Sequence, residues 1–179
     1  VNEGSDKTTL QSQFKVLSQA GARSGGLNID AALLEHVLQT HRNIPAEMMI
    51  PLTVEEKQNA MNEARRAKET LTMESTAILH LHQQLGDATV TSDDLELACI
   101  PIVQRFCGAM QECLQRYRTS IGNSNAKIDE VVLVGGTTRM PCVRRALMKA
   151  LRASNAIQDV NGRAFEFCAS INPEEAVAE

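Results

Sequence analysis

The stretch best equipped for chemistry is Gly135-Gly136-Thr137-Thr138-Arg139-Met140-Pro141. It follows the apolar run Val131 to Val134, which reads as a buried strand, and Pro141 suits the first turn of a helix. A strand that stops at a glycine pair before a helix N-terminus makes room for phosphate or sugar. Glycine has no Cβ, so a ligand can approach the backbone closely, and positive φ is allowed. The helix behind it aims free N–H groups and a positive dipole end at the same space. An ordinary strand-to-helix turn uses the same residue types, so the glycine pair alone leaves both readings open.

Other reactive types are scattered. The five cysteines, Cys99, Cys107, Cys113, Cys142 and Cys168, form no C-x-x-C pair. Three fall in helical context, where cysteine behaves as a small hydrophobe. Neither disulfides nor zinc are expected, and a reducing compartment, hence a cytoplasmic location, is. Cys142 follows Pro141 at a helix start, where a thiolate can be stabilised, although a semi-buried thiol is the plainer reading. His80 and His82 share a strand face without a nearby cysteine or carboxylate pattern, so they read as an exposed face rather than a metal site. His36 and His41 read as helix-surface residues.

The bulk numbers exclude several classes. The net charge of −4 over 179 residues leaves no basic footprint for nucleic acid. No apolar run approaches the roughly 20 residues that span a bilayer, so no membrane partner is expected. The opening residues Val1-Asn2-Glu3-Gly4 look cut from a longer chain, which makes a missing targeting signal uninformative.

The elements that must position the glycine turn follow from periodicity. Residues 8–18 alternate as a strand through Leu10, Phe14 and Val16. A small-residue turn, Ala20 to Gly26, precedes a helix capped by Asn28 or Asp30, with Leu33, Leu34, Val37 and Leu38 on its apolar face. A connector with Pro45 and Pro51 leads to the capping box Thr53-Val-Glu-Glu56 and a long helix with the stripe Ala60, Met61, Ala64, Ala67, Leu71. A hairpin over 77–91 follows, then a helix from Ser92 or Asp93 to about Arg118, with a kink or restart at Pro101. After the central strand and a helix over 141–151, residues 164–168 form another strand, and Asn172-Pro-Glu-Glu175 starts a last helix.

These segments resemble a known family. Val131-Val-Leu-Val-Gly-Gly-Thr-Thr-Arg-Met-Pro141 and Ile171-Asn-Pro-Glu-Glu-Ala-Val-Ala178 are similar, in content and spacing, to two signatures that close the ATPase domain of the 70-kDa heat-shock (DnaK-type) chaperones. Ala20-Gly21 with Gly25-Gly26 and Asp30 looks like that family's glycine turn, one residue shorter. Ala67-Lys-Glu-Thr-Leu-Thr72 looks like its adenosine-contacting helix. The resemblance implies an α/β (α+β) fragment of the actin-like ATPase, ribonuclease H-like fold. It would be lobe II: a base subdomain (1–26 and 99–179) with an upper subdomain (27–98) inserted.

The same resemblance implies ATP or ADP as ligand. It carries nucleotide contacts onto Gly25, Gly26, Lys68, Thr72, Gly135, Gly136, Thr137, Arg139, Met140 and Glu174. Gly136 and Thr137 would lie near phosphates and ribose, Lys68 would bond the ribose, and Arg139 would stack on the adenine. Two departures stand out. The family has an acid where Arg65 stands and an arginine where Glu69 stands; here the two charges are exchanged, at a spacing that lets them pair. The catalytic lysine, the magnesium-site aspartates and the first two phosphate loops have no counterpart here, so catalytic and metal residues are none, with Mg held mainly by residues elsewhere. Implied partners are client polypeptides, co-chaperones and nucleotide exchange factors. The fragment alone is not expected to hydrolyse ATP. The alternative is a non-hydrolysing relative acting as a co-chaperone or exchange factor.

Overall fold

Two threonines set where the long helices begin. In the computed structural model, which describes residues 15–40, 53–81, 86–159 and 163–168, Thr53 caps helix α2 (Val54–Leu71) through the expected capping box. Its Oγ1 accepts from the Glu56 N–H at 3.2 Å, and its own N–H donates to Glu56 Oε2 at 2.7 Å. Thr91 repeats the device for helix α3 (Ser92–Ser120), pairing with Asp94. The cap is thus Thr91, one residue before the expected start, because its extended backbone and hydroxyl can reach the third helical N–H.

Helix α1 (Gly26–Thr40) buries Ile29, Asp30, Leu33, Leu34, Val37 and Leu38. It begins earlier than expected, and Asp30 lies inside it rather than capping it. Helix α2 meets α1 with small residues, Ala60, Ala64 and Ala67, which let the two backbones approach closely. Strands β1 (Thr76–His80) and β2 (Asp87–Thr91) form an antiparallel hairpin in which Thr76 faces Thr91 and Ile78 faces Thr89. Ala77, Leu79, Ala88 and Val90 are its buried face, and exposed His80 pairs with Asp87 across the ladder at 3.2 Å. His36 is not a plain surface residue: its Nε2 meets Asp94 Oδ1 at 3.2 Å, and both side chains are mostly covered.

Helix α3 runs through Pro101 as one 29-residue element, about 44 Å long, so the expected restart does not occur. The ring lies on the outer face with exposed Leu97 and Ile100, where water can take over the carbonyl the missing N–H would have bonded. Its first half packs into one hydrophobic cluster with α1, α2, the hairpin, Met140 and Val143. Its second half joins a smaller cluster of Leu114, Leu151, Ala156, Ile157 and Phe167. Arg118, in the last turn, clamps this end. Its guanidinium donates to the carbonyls of Ala126, Ser154 and Asn155 at 2.9–3.1 Å, a rigid fork satisfying several otherwise unpaired chain-end acceptors.

The central strand expected over 131–134 is reduced to an isolated parallel bridge, Val132 to Cys168, with the Cys168 N–H donating to the Val131 carbonyl at 3.0 Å. Val132 and Val134 are each 40% exposed, so the run is not buried as a central strand would be. Residues 15–18 likewise form no strand; Ser18 Oγ bonds the Cys113 carbonyl at 2.9 Å and Arg116 reaches the Gln19 carbonyl. Residues 164–168 form no strand and take part in pairing only at the Cys168 bridge, with a further bridge at the preceding Arg163. In each case the alternation is real, but a strand needs a ladder partner, and among the described residues these segments have almost none. The expected strand at 8–14, the connector 43–52, His41, His82 and the helix after Asn172 lie outside the described residues. Helix α4 (Pro141–Ala153) starts at Pro141, as expected.

Candidate functional site

Three segments far apart in sequence converge on one cleft of about 1220 Å³. The α1 start gives Gly26, Leu27 and Asp30. The α2 end gives Arg65, Lys68, Glu69, Thr72 and Met73. The turn before α4, with α4's first turn, gives Gly136, Thr137, Arg139, Met140 and Arg144.

The turn is built as its glycines require. Gly135 has φ +90°, the left-handed region that a side chain disfavours. Residues Gly136–Arg139 then make one 3-10 turn, closed by Thr138, whose N–H and Oγ1 both donate to the Gly135 carbonyl at 3.0 and 2.7 Å. This short turn, which begins at Gly136, stands between Gly135 and the helix that sequence periodicity joins directly. Met140, 1% exposed, anchors it in the larger cluster and caps α4.

Gly26 is the tightest point. A Cβ there would lie 3.3 Å from Thr137 Oγ1 and 3.4 Å from Lys68 Nζ. All three cleft walls therefore meet at this one glycine. Gly25 stands beside it and donates its N–H to Asn28 Oδ1 at 2.9 Å, fixing the α1 start.

The electrostatics of the cleft differ from those of the chain. Its lining carries Arg65, Lys68, Arg139 and Arg144 against Asp30 and Glu69, four cations to two anions, in a protein of net charge −4. Lys68 Nζ sits 2.6 Å from Asp30 Oδ1, with 12% and 2% of the side chains exposed. The contact is a close ion pair rather than a directed hydrogen bond. Arg65 Nε donates to Glu69 Oε1 at 3.2 Å across one helical turn, both well exposed, so the exchanged charges do pair as their spacing allows. Arg144 stacks over the Phe167 ring at 5.5 Å.

Of the residues singled out from sequence, Gly26, Lys68, Thr72, Gly136, Thr137, Arg139 and Met140 line the cleft together. Gly25 and Gly135 are not among the lining residues, although each adjoins one that is, and Glu174 lies outside the described residues. Sequence reading missed Leu27, Asp30, Met73 and Arg144 as lining residues. Arg144 had a signal: it follows Met140 by one helical turn, its N–H donating to the Met140 carbonyl. Asp30 had its place in the family-like glycine turn, but its pairing had no signal, because Lys68 is 38 positions away.

Among the described residues no group of three or more His, Cys, Asp or Glu is placed to hold a metal ion. None of the described helices is long and apolar enough to cross a membrane.

The described residues thus combine helices and a small antiparallel hairpin around a glycine-walled cleft with more cations than anions. Comparison with known proteins narrows the class. The model of the family described as Hsp70 protein matches residues 9–179. A "Chaperone protein HscA homolog" of Burkholderia pseudomallei (strain 668) is 34% identical over 140 residues, covering 76% of this chain. "Hypoxia up-regulated protein 1" of Xenopus laevis is 30% identical over 145 residues, with the same coverage. In both cases the match spans 21% of the relative's length. The chain belongs to the Hsp70 family. Membership brings the actin-like ATPase fold class, to which the helices and hairpin described here contribute a part.

Proposed function

We propose that this chain is lobe II of the nucleotide-binding domain of an Hsp70-type chaperone, and that its cleft grips the adenosine side of ATP or ADP. The observation that carries the reading is the meeting of Gly26, Lys68 and Thr137 within 3.4 Å of one point, at the wall of a net-cationic cleft that also holds Arg139. Family signatures thus fall on residues that the fold brings together.

The residues fit an adenosine. Arg139 presents a planar cation for an aromatic base. Met73 and Leu27 add exposed apolar surface, and Thr72 and Lys68 offer a hydroxyl and an ammonium for ribose oxygens. The glycine walls admit the ligand close to backbone N–H groups. Glu174 and Gly135 belong to the same reading. Magnesium would be held mainly by the nucleotide phosphates and by groups outside this chain's described residues, and hydrolysis would use groups of the facing lobe. ATP supplies phosphoryl-transfer energy, while these residues orient the nucleoside and exclude water on one side of it.

In the whole protein, cleft closure would be passed to a peptide-binding domain acting on client polypeptides, with co-chaperones and exchange factors resetting it. The base-and-insert division at 26/27 and 98/99 is part of this reading. Its second boundary falls within α3, so one continuous helix would join the two subdomains. A cytoplasmic location is proposed with it.

The test is calorimetry of ADP binding to the full-length protein and to Arg139→Ala. A cation stacked on adenine is worth about 0.5–2 kcal/mol, so the variant should bind roughly 2- to 30-fold more weakly. Unchanged affinity would overturn the assignment. A second reading rests on the Arg65–Glu69 exchange: a non-hydrolysing relative acting as a co-chaperone or exchange factor. Absence of any ADP binding by the full-length wild type would favour it.

A further inference from the structure

Helix α4 carries charge of one sign. Its 13 residues hold Arg144, Arg145, Lys149 and Arg152 and no acid, in a chain of net charge −4. These four cations line a groove of about 530 Å³, together with Met148 and Phe167. Phe167 is buried in the smaller hydrophobic cluster, and half-buried Met148 packs against that cluster. The contact of Arg144 with the Phe167 ring holds its guanidinium at the groove before any ligand arrives. Arg145 pairs with Glu96 across to α3, and Arg152 with Asp159 at 3.4 Å. All four of those side chains are about half exposed, and pairs so exposed contribute little, so a ligand carboxylate can share either arginine. Lys149 is exposed and has no acidic partner among the described residues.

We propose that this groove docks an extended acidic segment of a partner polypeptide, in which two carboxylates flank an apolar side chain at alternate positions. The spacing supports that pattern. Along α4, Arg144, Met148 and Arg152 follow one another at four-residue steps, about 6 Å each. An extended chain presents every second side chain to one side, at steps of about 6.7 Å. A segment of the form acid-x-apolar-x-acid therefore sets its carboxylates at Arg144 and Arg152. Its apolar side chain falls over Met148 and Phe167. A guanidinium can take each carboxylate through two parallel hydrogen bonds. Arg145 and Lys149, the neighbouring row of α4, add positive charge beside the same segment.

Other anionic surfaces fit the groove less well. A nucleic acid asks for a basic footprint along its phosphates, whereas Glu96 and Asp159 stand beside this row of cations. A membrane surface asks for exposed apolar anchors on the docking face, whereas Phe167 is 9% exposed and Met148 half-buried. A recessed apolar floor rimmed by cations suits one side chain of a peptide with acids on either side of it. The proposal does not depend on what the nucleotide cleft binds. Arg144 is common to the cleft and the groove, while Lys149 and Arg152 line the groove alone.

The experiment is fluorescence anisotropy of the full-length protein with the labelled peptide Gly-Glu-Ser-Leu-Ser-Glu-Gly, at about 50 mM salt, where surface charge is little screened. Lys149→Glu/Arg152→Glu, on two exposed side chains, should weaken binding at least about fivefold. Lys57→Glu/Arg66→Glu makes the same change of charge on exposed side chains of α2 and should alter it less than about twofold. The isomeric peptide Gly-Glu-Glu-Leu-Ser-Ser-Gly, whose acids are adjacent, should bind the wild type at least about threefold more weakly. The proposal is overturned if the wild type does not bind the first peptide, if the two charge reversals act alike, or if the two peptides bind alike. It is also overturned if single-stranded DNA or phosphatidylserine vesicles bind more tightly than the peptide and are released by the α4 reversal. The peptide comparison uses the wild type, so it decides even where a variant fails to fold.

Discussion

Replacing either partner of the Asp30–Lys68 pair should cost unequal amounts of stability, because the two groups have unequal access to water. Asp30 is 2% exposed on a helix face that otherwise buries leucine and isoleucine, whereas Lys68 is 12% exposed and lines the cleft. In Lys68→Met the carboxylate is left buried without its cation, and a broken buried pair costs about 3–5 kcal/mol. In Asp30→Asn the amide oxygen can still accept from Lys68, and the flexible ammonium can turn into the cleft. The loss there should be nearer about 1–2 kcal/mol, that of a carboxylate–ammonium attraction exchanged for an amide–ammonium one. The double variant Asp30→Leu/Lys68→Met removes both charges and should recover most of the larger loss. Urea unfolding of the full-length protein, following the transition of this domain, supplies all three values, and ADP titration supplies a second axis. On the proposed function, Lys68→Met also weakens ADP, while Asp30→Asn does not. Equal single-variant costs, or a double variant that is the plain sum of its parts within about 0.5 kcal/mol, would refute the reasoning.

Three further outcomes are expected. Exchanging the helix pair back, as Arg65→Glu/Glu69→Arg, keeps an i,i+4 ion pair in the better orientation, so thermal stability should change by only a few tenths of a kcal/mol, while ADP affinity rises roughly fivefold by calorimetry as the arginine returns to the base. Gly26→Ala adds helix propensity worth up to about 1 kcal/mol, yet its Cβ would press on Thr137 and Lys68 at 3.3 and 3.4 Å; the melting temperature should hold or rise while ADP binding falls. Alkylation of Cys142 should report its lowered pKa. Because the thiolate is the reactive and favoured form, the rate climbs as pH rises through about 7 and levels off before 9. Cys99→Ala removes the largest lowering influence on Cys142, leaving Val143 and Arg145 against burial and Glu96, and should move the midpoint upward.

The sequence by itself determined the local features. Thr53 and Glu56 name their capping box because its two bonds join residues three apart. Pro141 marks the start of α4 because a ring that fixes φ and lacks an N–H suits a first turn. Gly135 with Gly136 marks a turn that only glycine enters cheaply, and Arg65 with Glu69 shows its own pairing at one helical turn. The family signatures were legible for the same reason, as short runs of fixed spacing. Tertiary structure decided what depends on partners distant in the chain. Asp30 reads as a cap until Lys68 arrives beside it, and His36 as a surface residue until Asp94 covers it. Alternation at 131–134 cannot say whether a ladder partner is present, and Pro101 cannot say whether its helix turns that side to water. The cleft is the clearest case: Gly26, Lys68 and Thr137 each carry an ordinary local reading, and only the packing of α1, α2 and the turn before α4 brings them to one point.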